Sequence, residues 1–282
     1  MVNIWDIVTD SFFDTLNLVP FLFIAYLILE FIEHTSQKNM VNIIKKSNKY
    51  GPLFGAICGL FPHCGFSAVA SSFYSTRVIT IGTLFAVFIA TSDEMVPIFL
   101  SKGISLEFIF ELLSIKFICA LVVGFVLDFI FKKKKQNIKI KEFCDCSHCH
   151  CGENILYSAF EHTVKIIFLI FIVSFIFGSL VEGIGEEKIS MLLSDHFIFS
   201  KFIVTGIGLI PNCAASVILS KLYLNGAISV SSLLSGLLVG AGVGLVVLFK
   251  MNKDMKENLK ILGMLYAIGV ILGFILELIL HS

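Results

Sequence analysis

The chain has 282 residues, of which 57% are hydrophobic and only 15% charged, with a mean hydropathy of +0.93. A soluble domain of this length carries about a quarter charged residues, so composition excludes a soluble globular fold. Formal net charge is zero, which gives no electrostatic basis for binding nucleic acid.

The first ten residues, MVNIWDIVTD, are acidic and lack a basic n-region and a small-residue cleavage site, so no removable signal peptide is expected. Apolar runs then recur at 16–33, 52–75, 78–101, 104–131, 164–184, 202–223, 227–249 and 261–280. Most reach the ~20 residues that cross a bilayer as a helix, and a β-barrel would instead alternate over segments of ~10 residues. The prediction is an all-α integral membrane protein. Lysines cluster at Lys38, Lys45, Lys46 and Lys49, again at Lys132 to Lys135 with Lys139 and Lys141, and again at Lys250, Lys253, Lys256 and Lys260. The positive-inside rule places all three clusters in the cytoplasm. The stretch holding Glu182, Glu186, Glu187 and Asp195 is acidic on balance and is placed outside.

These sides conflict with a simple count of crossings. Three apolar runs separate the first two lysine clusters, and three full crossings would end on the wrong side. Two runs separate Glu186 from Lys253, yet the chain must change sides. One run in each half must therefore enter and leave on the same face. The candidates carry a proline near their middle: LFPHCGFSAVASSFY (60–74) and LIPNCAASVILSKLY (209–223). Proline removes a backbone donor and clashes with the preceding turn, so each run is expected as two half-helices. This gives six full spans plus two re-entrant broken-helix hairpins, ten helical segments, with both termini outside. Residues 1–131 form the first repeat, 132–155 a cytoplasmic loop, and 156–282 the second repeat, inverted relative to the first.

An internal repeat agrees with that reading. At a constant offset of 149 (213 − 64), eight of the twenty-five positions from 60 to 84 are identical in the second half, including Pro62 with Pro211 and Cys64 with Cys213. Inverted repeats with broken helices mark the binding site of many secondary transporters. Broken backbone is tolerated in a membrane only where protein or a wet cavity covers it.

The spacing Cys64, Ser67, Ser71, Tyr74 lies on one helical face, and Cys213, Ser216, Ser220, Tyr223 repeats it. The serines serve either a polar site or close helix packing. For the paired cysteines the functional reading is preferred over burial as small hydrophobes, because thiolate is the ligand soft metals select. His63 would add an imidazole, and its counterpart Asn212 is neutral. In TSDEMVP (91–97), Asp93 and Glu94 lie inside an apolar run, where each costs ~2.5–3.5 kcal/mol on insertion scales. They are read as cation-attracting or proton-coupling groups; the plainer reading is a wet interface. Arg77 could neutralise an anion or pair with either carboxylate. Gly236, Gly240 and Gly244, every fourth residue, would allow close helix approach. Glu107, Glu111, Lys116 and Asp128 lie in or beside the fourth apolar run, the two glutamates as an exposed helix start. Cys58 and Cys119 are expected to be packing residues. In CDCSHCHCGE (144–153), Cys144, Cys146, His148, Cys149, His150 and Cys151 place six metal-ligating side chains within eight residues. That reads as a flexible metal-binding loop.

The blocks GLFPHCGFSAVASSFYSTRVITIGTLFAVFIATSDEMVPIFLS and GLIPNCAASVILSKLYLNGAISVSSLLSGLLVGAGVGLVVLFKMN resemble the ten-helix heavy-metal exporters, whose members go under the names arsenic efflux protein and manganese transporter. The Cys/His-rich loop also looks like that family's. His63 departs from it, since glutamine is commoner there. The resemblance implies metal or metalloid efflux.

The expected function is therefore a secondary transporter of the cytoplasmic (inner) membrane. It would export a heavy-metal cation or metalloid of the Mn, Zn, Cd or arsenite class. Pro62, His63, Cys64, Ser67, Ser71, Tyr74, Asn212, Cys213, Ser216, Ser220 and Tyr223 would form the transport site. No GxxxxGK[ST] motif is present, and neither enzymatic activity nor a resident cofactor is expected. Expected partners are membrane lipid and the metal ion, with a homodimer as one candidate assembly. The alternative is a permease or channel for an inorganic or organic anion, using half-helix ends and Arg77.

Overall fold

A computed structural model describes residues 9, 16, 19–20, 23–24, 27, 50–61, 65–91, 95–131, 160, 163–164, 167–168, 170–172, 175–176, 197–212 and 214–280. Among them all regular structure is helical. Five helices follow one another in the first half: α1 (Gly51–Gly59), α2 (Gly65–Ser75), α3 (Ile81–Ala90), α4 (Met95–Ser101) and α5 (Leu106–Phe131). Five more follow in the second: α6 (Phe197–Gly208), α7 (Ala214–Leu224), α8 (Val230–Leu237), α9 (Val243–Met251) and α10 (Met255–Leu280). Subtracting 149 from the bounds of α7 gives 65 and 75, those of α2; the same subtraction from α10 gives 106 and 131, those of α5. The repeat is thus one of whole helices as well as of residues.

Local chemistry at the helix ends is repeated too. The Thr80 hydroxyl caps α3 by accepting from the Thr83 N–H, and the Ser229 hydroxyl caps α8 by accepting from the Ser232 N–H, both at 3.2 Å. Helix α2 ends in a left-handed residue, Arg77 (φ 62), with Val78 N–H bonded to Phe73 C=O. Helix α7 ends the same way at Gly226 (φ 73), with Ala227 N–H bonded to Leu222 C=O. Glycine adopts this conformation freely, whereas arginine is strained in it.

Helices α1, α3 and α5 pack together in the first half, and α6, α8 and α10 do so in the second. The halves are joined by crossed contacts: α2 packs on α9, and α7 packs on α4. The start of α10 lies beside the end of α5, where the Lys260 ammonium sits 5.4 Å above the Phe131 ring. Phe85, Phe88, Leu84 and Leu233 are among the fully buried residues of the main core. The outer faces of the long helices are apolar and exposed, at Ile118, Val122 and Phe129 on α5 and at Ile271 and Leu278 on α10. Ile81–Ser101, Leu106–Phe131 and Met255–Leu280 are long and apolar enough to cross a membrane. Such faces belong in lipid.

One expectation is corrected here. The run 227–249 is not one helix: α8 stops at Leu237, Gly242 takes φ 49 and ψ −139, and α9 starts at Val243. The regular helix also pauses within Ile81–Ser101, which is still long and apolar enough to cross a membrane: α3 stops at Ala90, with Thr91 turned to ψ 128, and α4 starts at Met95. Glycine at 240 and 242 lets the chain leave the helix without a proline to announce it. The Cys/His-rich loop, the first two lysine clusters and both termini lie outside the described residues.

Candidate functional site

The two serine stripes meet at the break between α8 and α9. Ser67 and Ser71 on α2 are fully buried. The Ser71 hydroxyl reaches Ser67 C=O at 2.9 Å and, across the repeat, Gly244 C=O at 2.7 Å. A Cβ on Gly244 would fall 2.8 Å from the Ser67 carbonyl oxygen, so only glycine allows this approach. From the other side, a Cβ on Gly240 would stand 3.9 Å from the Ser216 hydroxyl of α7. The stretch 240–244 is thus held between serines of both stripes. Gly236 is equally tight, against Leu219 and Val204. The expectation of close approach at all three glycines holds for 236 and 244, while at 240 the nearest neighbours leave more room.

Ser71 makes a packing bond that Ser220, its counterpart, does not. The Ser220 hydroxyl is buried with no hydrogen-bond partner among the described residues. Asn212 and Ser216 are buried beside the second break. Pro62, His63, Cys64 and Cys213 lie outside the described residues, as do Asp93 and Glu94. Their flanks are placed: Gly65 begins α2, Ala214 begins α7, and Thr91 and Met95 bracket the carboxylates. Among the described residues no three His, Cys, Asp or Glu side chains gather into a metal site. Of the remaining cysteines, Cys119 is half-buried as expected, whereas Cys58 is exposed rather than packed.

The stripes end in different chemistry. The Tyr74 hydroxyl hydrogen-bonds Glu257 Oε1 at 2.6 Å, and Arg77 lies 5.2 Å over the Tyr74 ring. Arg77 donates to both oxygens of Glu257, at 2.7 and 2.5 Å, and Asn252 donates to Oε2 at 3.2 Å. Position 108 is the repeat counterpart of 257 (257 − 149), and there Phe108 stacks on Tyr223 at 5.8 Å, with Phe99 at 5.9 Å. One end of the arrangement is closed by an ion pair and the other by three aromatic rings. Arg77 was expected to meet an anion or an acidic residue of its own half; it is held by Glu257 instead.

Lys116 sits in the middle of α5, about 15 Å from the start of that helix at 1.5 Å per residue, and is fully buried. Its ammonium donates to Thr91 C=O, at the end of α3, and to Leu237 C=O, at the end of α8, the latter at 3.1 Å. The sequence flagged this lysine without assigning it a role. The cost argument that singled out Asp93 and Glu94 applies to it equally. Asp128, further along α5, accepts from Thr80 Oγ1 and Gly82 N–H and so caps the positive end of α3. Glu277, its counterpart on α10, pairs with the buried Lys201 at 2.6 Å.

The geometry is that of a membrane protein with backbone breaks gathered between two repeated halves. Residues 3–185, nearly two thirds of the chain, match the family described as "Putative, 10TM heavy-metal exporter". No curated protein and no solved structure matches the chain significantly. By the length of the family match, the chain belongs to that family of ten-transmembrane heavy-metal exporters.

Proposed function

We propose that this protein is a secondary transporter that exports a heavy-metal cation or metalloid of the Mn, Zn, Cd or arsenite class across the cytoplasmic membrane. The single observation that carries this reading is the crossed packing of the halves, α2 on α9 and α7 on α4. It sets Ser71 of α2 against Gly244 at the break of the other half, with Ser216 of α7 beside Gly240 of that same break, and such breaks are where broken-helix transporters hold their cargo. Cys64 and Cys213 directly precede those half-helices at equivalent positions. As thiolates they are the soft ligands of the site, with His63 and Asn212 beside them. Asp93 and Glu94 follow α3 and precede α4 in the sequence, and their charge would draw the cation inward.

The topology is an inverted repeat with re-entrant segments entering from opposite faces. Two contacts support it: the start of α10 beside the end of α5, and the Arg77–Glu257 pair at the start of α10 against Tyr223 with Phe108 at the start of α5. The anion-permease reading loses the part of its support that rested on Arg77, because that charge is already matched by Glu257.

The test is a flux panel in proteoliposomes with Mn(II), Zn(II), Cd(II), Cu(I), arsenite and an organic anion. Saturable flux of one or more of the metal species, with none of the organic anion, is the expected result. Flux of the organic anion alone overturns the reading.

A further inference from the structure

The Lys116 ammonium lies at the C-terminal ends of two helices from opposite halves, α3 and α8, each of which stops inside an apolar run. A helix C-terminus carries about half a negative charge on its unsatisfied carbonyls. Here two such ends meet at one ammonium, and Leu237 C=O accepts from Gly240 N–H as well. In broken-helix transporters these carbonyls are where a small hard ion sits. Carbonyl oxygen replaces the hydration shell of alkali ions and is a poor ligand for thiophilic metals. Here Lys116 supplies the charge from α5, and the repeat supplies no second lysine. The counterpart position, 265 (116 + 149), is the fully buried Leu265. One ammonium therefore serves both ends, and a second would be repelled by the first.

We propose that Lys116 is a tethered cation filling what would otherwise be an alkali-ion site between the two broken helices. The protein thus carries its own core cation and needs neither Na⁺ nor K⁺ to hold α3 and α8 together. This goes beyond metal export and does not depend on it, because the site is read through stability. Removing the charge vacates the site, and a free Na⁺ or K⁺ then occupies it.

The experiment measures thermal unfolding of the full-length protein in detergent, in NaCl, KCl and N-methylglucamine chloride at equal ionic strength. Wild type and Lys116→Arg, which keeps the charge, are expected to melt at the same temperature in all three salts. Lys116→Met and Lys116→Gln are expected to melt lower in N-methylglucamine. They should recover by on the order of 5 °C in NaCl or KCl. The Gln variant retains N–H donors for the two carbonyls and carries the test if the Met variant fails to fold. A folded Gln variant with no difference between the salts overturns the proposal, as does a wild type that shifts as much as the variants. Failure of both neutral variants to fold even in NaCl and KCl also overturns it, since a free cation then cannot replace the ammonium.

Discussion

Arg77 grips both carboxylate oxygens of Glu257, 180 residues away in the chain, from a backbone conformation that its repeat counterpart Gly226 adopts without strain. The pair therefore offsets a local cost at φ 62 with a contact between the halves. Its side chains are about one quarter exposed, at 24% and 26%. Its energy accordingly falls between the surface and buried cases, and Glu257→Ala is expected to destabilise by about 2–3 kcal/mol. Arg77→Gly relieves the strained φ, worth about 1 kcal/mol. The double variant should then be more stable than Glu257→Ala alone. A double-mutant cycle by denaturant unfolding in detergent checks this; additive costs would mean the pair is not coupled.

Gly244 meets backbone atoms of Ser67, which cannot move aside as a side-chain tip can. Gly244→Ala should destabilise by about 1–3 kcal/mol and reduce transport. Gly263→Ala is the matched control, because an added methyl there meets nothing within 4 Å. It should be neutral or stabilise by up to about 1 kcal/mol. Equal effects at the two positions would refute the close approach of α2 and α9.

Thr76 and Asn225 are repeat counterparts (225 − 149) just beyond the ends of α2 and α7. In a cysteine-free background, Thr76→Cys should react with a membrane-impermeant thiol reagent from the cytoplasmic face and Asn225→Cys from outside. Labelling of both from one face would contradict the inverted arrangement.

The peptide of residues 142–153 carries four cysteines and two histidines. It should bind a thiophilic ion when reduced and release protons as its ligands deprotonate. Calorimetry in buffers of different ionisation enthalpy measures that release. Deleting the loop should impair flux less than changing Cys64 does; the reverse ranking would make the loop the principal site.

The sequence carried the repeat and its first pair of breaks because proline is rare in this chain and stands at 62 and 211 in both copies. The second pair of breaks was hidden. Residues 227–249 form an apolar run in which Gly240 and Gly242 are compatible with an unbroken membrane helix, and only the φ of 49 at Gly242 shows otherwise. The serine stripes were legible as faces, but their separate fates were not. Ser71 bonds Gly244 C=O of the opposite half, while Ser220 has no hydrogen-bond partner among the described residues. Glu257 was illegible as a partner of Tyr74 and Arg77 for the same reason: no local spacing encodes a contact made across the repeat. Lys116 was visible as a charge in a span. Two of its partners are backbone carbonyls, which every residue has, so sequence could not name them.

The central claim is that two thiols, one from each repeat, act on one soft ion. Flux of Cd(II) against Mn(II), measured in proteoliposomes at matched protein content, tests it most directly with Cys64→Ser, Cys213→Ser and the double variant, with Cys58→Ser and Cys119→Ser as controls. The account predicts that each single change lowers the preference for the softer ion by a similar factor. The double change should be little worse, because the pair acts as one unit, and the controls should retain wild-type preference. Unchanged ion preference in both Cys64→Ser and Cys213→Ser would contradict the account.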